Sequence, residues 1–243
     1  MYDIHCHLLP GMDDGADFLE ESLQMVQLAA SGGTLGIVCT PHCNVPGSYR
    51  NHYEDSYDRR LRELQERIAR HKIPLRLFCG QEVFLAGSVL PLLRAGKLLT
   101  INRSVYLLCE FDPLEEEASA LRKLQQLRAE GCVPIVAHPE RYRFVAESPD
   151  AAARLRATGS FLQINKGSLK GAFGEDAARA AHRLLRRRIA DFVASDAHSP
   201  YIRTPFLGEV HEMISELYSM DYADFLLRDN PLRVLRSQKI YSY

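Results

Sequence analysis

Seven short apolar runs alternate with longer amphipathic segments along the chain. That alternation predicts an α/β protein, a (β/α) barrel or a close variant, with an open doubly wound sheet as the alternative. Three observations carry the prediction. The runs are apolar on both faces, as buried parallel strands are. The 243 residues suffice for one large domain with a full core, and no linker, repeat or low-complexity tract divides them, so residues 1–243 read as a single domain. Finally, the His, Asp and Glu residues best suited to chemistry fall at the C-terminal ends of the runs, where barrel enzymes build their active sites.

The strand-like runs cover residues 2–6, 35–40, 75–80, 105–110, 133–138, 161–165 and 190–195. The segments between them read as helices. Residues 17–31 carry Leu19, Leu23, Val26 and Ala30 at helical spacing and end at Gly32-Gly33. Residues 53–71 are charged, with an apolar stripe of Tyr57, Leu61, Leu64 and Ile68. Residues 115–130 open with three acids, which suit a helix N-terminus. Residues 150–157 and 176–188 are rich in Ala, Arg and Leu, and residues 205–217 and 222–227 supply the last helices. The run Arg186-Arg187-Arg188 reads as a solvated helix end, and Tyr241-Ser242-Tyr243 as a frayed tail.

Composition narrows the function classes. A net charge of −1 argues against bulk electrostatic binding to nucleic acid or to a membrane surface. No apolar run is long enough to span a membrane. Asp3, His5 and His7 interrupt any secretory h-region, so the expected location is the cytoplasm. The six cysteines form no C-x-x-C pair, and four of them lie in or beside apolar runs, so a disulfide framework is not expected.

The first fifteen residues hold the densest chemistry. His5 and His7 stand two apart at a strand end, which places both imidazoles on one side. Asp13-Asp14 follows in a Gly-flanked loop able to fold back over them. A lone H-x-H is more often ordinary polar surface, but ligand-type residues recur at later strand ends. These are His42 in Thr40-Pro41-His42, Glu82 in Gly80-Gln81-Glu82, Glu110, His138 in His138-Pro139-Glu140-Arg141, and Asp196 and His198 in Ser195-Asp196-Ala197-His198. His5, His7, Asp14, His42, Glu82, Glu110, His138, Asp196 and His198 are too many ligands for one ion. Two or three ions sharing carboxylates would use them, and nitrogen and oxygen donors without thiolate suit Mn²⁺, Fe or Zn²⁺. Metals clustered roughly 3.5–4 Å apart are typical of phosphoester hydrolysis.

One cysteine motif competes with this reading. His42-Cys43 is followed by Arg50, but six residues intervene where a cysteine-dependent tyrosine phosphatase loop has five. That loop must wrap one phosphate with backbone N–H groups and set the Arg opposite the thiolate, which an extra residue prevents. Cys43 is therefore read as incidental.

Residues 3–16, Asp-Ile-His-Cys-His-Leu-Leu-Pro-Gly-Met-Asp-Asp-Gly-Ala, together with the motifs above and Gln163-Ile164-Asn165-Lys166-Gly167-Ser168-Leu169, resemble the PHP (polymerase and histidinol phosphatase) superfamily. Within it the opening and the His-Pro-Glu-Arg segment are similar to bacterial CpsB/YwqE-type manganese-dependent protein-tyrosine phosphatases. The likeness runs to about His198 and keeps the motif order. It implies a distorted (β/α)₇ barrel with a trinuclear site. One ion would take His5, His7, Glu82 and Asp196. A second would share Glu82 and add Glu110 and His138, and a third would take Asp14, His42 and His198, with Asp13 and Asp14 left open between neighbours. Arg141 and Arg203 would bind phosphate, a role suited to the bidentate guanidinium fork. A hydroxide generated at the metals would attack phosphotyrosine directly. The implied partner is a bacterial tyrosine kinase governing capsular or exopolysaccharide synthesis. The chain departs from the family pattern at Asn165-Lys166, and Lys166 is expected to be solvated. His52, His71, His182 and His211 are expected at the surface. Rival readings are a small-molecule phosphoesterase of the histidinol-phosphatase type and a non-catalytic barrel that keeps its metals for stability.

Overall fold

The structure is a computed structural model describing residues 1–87, 89–148 and 150–243. Its strands are β1 (Tyr2–Cys6), β2 (Gly36–Cys39), β3 (His42–Cys43), β4 (Arg76–Cys79), β5 (Glu82–Phe84), β6 (Tyr106–Glu110), β7 (Val133–Ala137), β8 (Phe161–Asn165) and β9 (Phe192–Ala194). All pair in parallel, in the orders β1-β2-β4 and β3-β5-β6-β7-β8-β9. A Cys6–Ala197 bridge joins the first strand to the end of the last. The result is a distorted barrel of seven strand positions, and the expected runs match it in number and order.

The distortion lies in the second and third positions, each broken in two. The sequence places Thr40-Pro41-His42 and Gly80-Gln81-Glu82 simply after a run. In the structure His42 and Glu82 instead open short strands paired with each other. Pro41 has no N–H for a ladder, and Gly80 is held so close that a Cβ would sit 2.7 Å from Val38 Cγ1. Tyr57 braces both breaks: its hydroxyl donates to the Cys39 carbonyl at 2.8 Å and accepts from Gly80 N–H at 3.0 Å. The two breaks transfer the chain from one sheet to the other and bring His42 and Glu82 inward.

Helices α1 (Leu19–Ser31) and α2 (Asp55–Arg70) cover the first sheet with Met25, Val26, Tyr57, Leu61, Leu64 and Ile68. Then come α3 (Val89–Arg94), α4 (Glu117–Ala129), α5 (Arg143–Glu147), α6 (Ala151–Ala157), α7 (Lys166–Leu169), α8 (Glu175–Arg186), α9 (Gly208–Leu217), α10 (Met220–Asp224) and α11 (Asn230–Leu235), with a π-helical turn at Phe225–Asp229. The expected last helix stops eight residues short of Leu235, because the helix runs on from α10 through the π-helical turn into α11. Ile4, Val38, Leu108, Ile135, Phe192, Val234 and Ile240 belong to one cluster, so the C-terminal segment packs with the strand interior.

Two surface expectations are overturned at this end. Arg188 is half-buried, its guanidinium carbon 3.9 Å from the Tyr222 ring centroid and 4.9 Å from that of Tyr243, so the basic run is not wholly solvated. The tail is docked rather than frayed: Asn230 Nδ2 donates to the Tyr241 carbonyl at 3.3 Å, Arg156 Nη2 to Ser242 Oγ at 2.6 Å, and the Tyr243 ring lies 4.7 Å from that of Tyr222. Aromatic rings and cations separated widely in sequence made these contacts invisible in it.

Below the tail Asp191, buried at the start of β9, accepts from Leu162 N–H and from Arg156, each at 3.0 Å. Burial pushes its carboxyl up to about 7 despite that guanidinium. The folded state therefore retains a proton that the unfolded chain, with an ordinary carboxyl near 4, has already released. Stability contributed by this group is present at low pH and is lost as pH rises toward 7. In urea unfolding from pH 5 to pH 8, Asp191→Asn should lose less stability than wild type, by about 1–3 kcal/mol across the range. Parallel pH curves for the two proteins would show that Asp191 ionises normally.

Candidate metal centre

The ligand-type residues arrive from the ends of several strands. His5 lies in β1 and His7 just beyond it, their Nε2 atoms 3.1 Å apart, as the i, i+2 spacing anticipated. The following loop folds back over them: Ala16 N–H donates to the His7 carbonyl at 3.2 Å, and a Cβ on Gly15 would lie 2.1 Å from that oxygen, so only glycine fits. His42 opens β3, Glu82 opens β5, and Glu110 ends β6. His138 follows β7 and Asp196 follows β9, both with left-handed backbones, φ 35° and 49°, in residues that have a Cβ. Arg203, φ 52°, shares that conformation. Such strain persists only where surrounding structure enforces it, and it gathers at functional sites.

Three overlapping groups of donor atoms result, each with its atoms within 4.8 Å of one another: His5, His7, Glu82 and Asp196; His7, Asp14, His42 and His198; and His42, Glu82 and Glu110. His138 Nε2 adjoins the third, 2.9 Å from Glu82 Oε1 and 3.6 Å from Glu110 Oε2. All nine expected ligands thus come together. Two details differ from the expected partition: His7 also reaches the Asp14 group, and His42 lies with Glu82 and Glu110. The neighbouring aspartates have separate tasks. Asp14 Oδ1 stands 3.4 Å from His198 Nε2 and 3.6 Å from His42 Nε2, facing the centre. Asp13 Oδ2 instead accepts from His7 Nδ1 and from His42 N–H, both at 2.7 Å.

The residues present fit a bound cation. His42 Nδ1, Glu82 Oε2 and His198 Nε2 are buried without a hydrogen-bond partner. His42 Nδ1 and Glu82 Oε2 are only 3.0 Å apart, yet they are not aligned to bond to each other. Unpartnered buried polar atoms cost about 1–3 kcal/mol each, a cost that coordination to ions in these groups would remove. The far nitrogens are engaged in the way metal-binding imidazoles require. His5 Nδ1 meets Gln163 Oε1 at 2.8 Å, His7 Nδ1 meets Asp13, and His198 Nδ1 meets the Asp196 carbonyl at 3.0 Å, leaving each Nε2 for the centre. Asn165 donates to Asp196 Oδ2, and its own N–H donates to Glu140 Oε1 at 2.9 Å. The sequence reading left Asp13, Gln163, Glu140 and Asn165 without these roles. All four lie within motifs it had singled out.

The electrostatics show a centre that demands positive charge. Burial opposes ionisation of Glu82 and of Asp196, but His5 beside each holds both carboxyls well below the usual range. Burial likewise opposes protonation of His42, yet the negative charge of Glu82, with Glu110 beside it, holds its imidazole up at about 10.

Two guanidiniums border the centre. Arg141, at the end of the Pro139–Arg141 turn, has Nη1 3.6 Å from Asp196 Oδ2, and Arg203 Nη2 is 2.6 Å from the same oxygen. Both line an open cleft of about 270 Å³ together with Asp14, His42, Tyr49, Glu82, Glu110, His138 and Asp196. Lys166 is not solvated as expected. It is buried, and its ammonium donates to the Thr204 carbonyl and, at 3.0 Å, to the Phe206 carbonyl, pinning the loop that bears Arg203. Burial lowers its pKa to about 8. All six cysteines are buried free thiols, and burial pushes Cys43 up to about 12, which fits an incidental role. Among the remaining histidines His71 is exposed and His52 half-buried, while His182 and His211 are half-buried with partners Tyr218 and Asp224.

Comparison with known proteins agrees with this geometry. Tyrosine-protein phosphatase YwqE of Bacillus subtilis (strain 168) is 35% identical over 242 residues, 99% of this chain and 94% of that protein. Tyrosine-protein phosphatase CpsB of Streptococcus agalactiae serotype V is 26% identical over 99% of this chain and all of that one. A crystal structure from work on YwqE of Bacillus subtilis and CpsB of Streptococcus pneumoniae, described as unique metal-dependent tyrosine phosphatases, superposes with a TM-score of 0.92 at 34% identity, covering 100% of this chain and 97% of that one. Histidinol phosphate phosphatase from Lactococcus lactis shares the fold at a TM-score of 0.58 and 13% identity, over 93% of this chain and 94% of that one. The family described as capsular polysaccharide synthesis, CpsB/CapC, matches residues 1–236. With that match and the identity to YwqE, the chain belongs to the CpsB/CapC family.

Proposed function

We propose that residues 1–243 form one metal-dependent protein-tyrosine phosphatase domain. The observation that carries this reading is the pairing of a chelating His/carboxylate cluster with two guanidiniums on its rim. A site that held metals only for stability has no need of two guanidiniums lining its open cleft. His5, His7, Glu82 and Asp196 hold one ion. Glu82, Glu110 and His138, with His42 adjoining, hold a second, and Asp14, His42 and His198 hold a third. Manganese is the proposed ion, with iron or zinc able to occupy the same nitrogen and oxygen donors. The substrate is a phosphotyrosine protein, proposed to be a tyrosine kinase governing capsular or exopolysaccharide synthesis, as the names of the relatives suggest. Six free buried cysteines suit the reducing cytoplasm as the proposed location.

When bound, the ions would supply Lewis-acid charge and lower the pKa of water at the site so that hydroxide is available near neutral pH. The chain's own residues do the rest. Arg141 and Arg203 hold the non-bridging phosphate oxygens and offset the charge that develops on them. Gln163, Asp13 and the Asp196 carbonyl fix the imidazoles that face the centre. The departing phenolate, with a pKa near 10, needs less protonation than a serine alkoxide. Cys43 takes no part.

Chelator should abolish hydrolysis of a phosphotyrosine peptide, Mn²⁺ should restore it, and Cys43→Ser should remain active. Metal-independent turnover that dies in Cys43→Ser would instead establish a cysteine mechanism. Phosphotyrosine peptide should turn over faster than phosphoserine peptide and histidinol phosphate, and preference for the last would favour a small-molecule phosphoesterase.

Glu82→Ala should lose bound metal together with activity, as judged by elemental analysis of the purified protein. Full retention of every ion would remove Glu82 from the ligand set. Arg141→Ala and Arg203→Ala should each lower kcat/KM about 10²-fold or more while metal content stays near wild type. Hydrolysis of a substrate chiral at phosphorus should proceed with net inversion, as a single displacement by water requires. A trapped phosphoryl-enzyme would rule out direct attack.

A further inference from the structure

Phe173 lies in the turn between α7 and α8, outside every motif discussed so far. Its ring centroid is 4.6 Å from the guanidinium carbon of Arg141 and 5.5 Å from that of Arg203. The two arginines come from different strand ends, yet they converge on this ring and on one carboxylate oxygen, Oδ2 of Asp196. That carboxylate also belongs to a group of donors able to hold a metal ion. An oxygen drawn toward a cation neutralises neighbouring guanidiniums less, and two like charges left side by side repel. The face of an aromatic ring does not have this conflict. It attracts both cations through its quadrupole, and it occupies none of their in-plane N–H donors. One donor is visibly in reserve, since Arg203 Nε is buried without a hydrogen-bond partner. The ring has a fitted seat as well: a Cβ on Gly167 would lie 2.6 Å from Phe173 Cε2, so the glycine lets the ring lie against the start of α7. Phe173 also lines both grooves beside the metal cleft, of about 590 Å³ and 470 Å³.

We propose that Phe173 is a positioning residue that holds Arg141 and Arg203 as a paired fork beside Asp196, leaving Arg203 Nε–H and the N–H groups that Asp196 does not engage for the oxygens of a phosphate monoester. The inference rests on the reading of both arginines as phosphate binders. It adds that the brace between them is aromatic rather than merely bulky.

The test compares Phe173→Leu, which keeps apolar volume and removes the ring, with Phe173→Tyr, which keeps it. The readouts are the inhibition constant of inorganic phosphate and the KM for a phosphotyrosine peptide, measured on the Mn²⁺-loaded full chain. In Phe173→Leu both constants should rise about tenfold, from the loss of two cation–π contacts each worth severalfold. Phe173→Tyr should stay within about twofold of wild type, and metal content and Tm should be the same in all three. Wild-type constants in Phe173→Leu would overturn the proposal, as would equal losses in the two variants, which would assign Phe173 to packing alone. Arg141→Ala and Arg203→Ala serve as the reference. If they too bind inorganic phosphate like wild type, the phosphate-binding reading fails and this inference with it. If they weaken while Phe173→Leu does not, only the role of Phe173 is lost.

Discussion

Closure of the barrel between β1 and the segment after β9 is the constraint on which the rest of the structure depends. Asp3 is fully buried, and its two oxygens accept from Ser195 Oγ at 2.5 Å and from Ser195 N–H at 3.1 Å. The backbone continues the seam: Asp196 N–H donates to the His5 carbonyl and His7 N–H to the Ala197 carbonyl, both at 2.9 Å. Burial raises the pKa of Asp3, and the Ser195 bonds partly offset that cost. A buried carboxylate is expensive unless its acceptors are filled, so the seam fixes register tightly. It also brings Asp196 and His198 beside His5 and His7, although about 190 residues separate the two pairs in sequence. Without it no donor group that spans the seam could form.

The site is built outward from that seam in layers with distinct physical tasks. The innermost atoms are buried donors that cannot satisfy one another. Around them stand Gln163, Asp13, Asn165 and backbone carbonyls, each spending a hydrogen bond to orient a donor. Farther out, Lys166 and Tyr57 hold backbone in place, Lys166 by bonding the carbonyls of the Arg203 loop and Tyr57 by bridging the two broken strands. Strained backbone at His138, Asp196 and Arg203 is tolerated because this surrounding structure overdetermines it.

Charge explains why so many histidines and carboxylates coexist under burial. Isolated, any one of them would shift its pKa and become neutral. Opposite charges offset that cost in part, and His5 holds Glu82 and Asp196 well below the usual carboxyl range despite burial. Cys43 offers a contrast at the edge of the same site. It adjoins His42 in sequence, but it is packed among apolar neighbours and burial drives its thiol up to about 12. Proximity in sequence gave it no electropositive surroundings, and a thiol without them is a poor nucleophile.

Much of this was legible in the chain itself. Period and apolarity predicted the parallel strands, because a strand buried on both faces leaves an uninterrupted apolar run. Residue type and place, at or just past the C-terminal ends of the runs, singled out the ligand-type residues other than Asp14, which was left open against Asp13, and those strand ends converge in a barrel. Two-residue spacing was enough to set His5 against His7. What sequence could not supply was anything decided by approach between distant segments. The split of the second and third strands depends on Tyr57 reaching from α2. The division of labour between Asp13 and Asp14 depends on how the Gly15 loop lies against His7. The burial of Lys166, the docking of Tyr243 and the convergence of Arg141 and Arg203 on Phe173 each join residues from separate elements. Local pattern determines which face of an element is buried. Only the packed structure decides which polar group meets which partner, because each such contact is fixed by the register and tilt of whole elements rather than by the residues beside it.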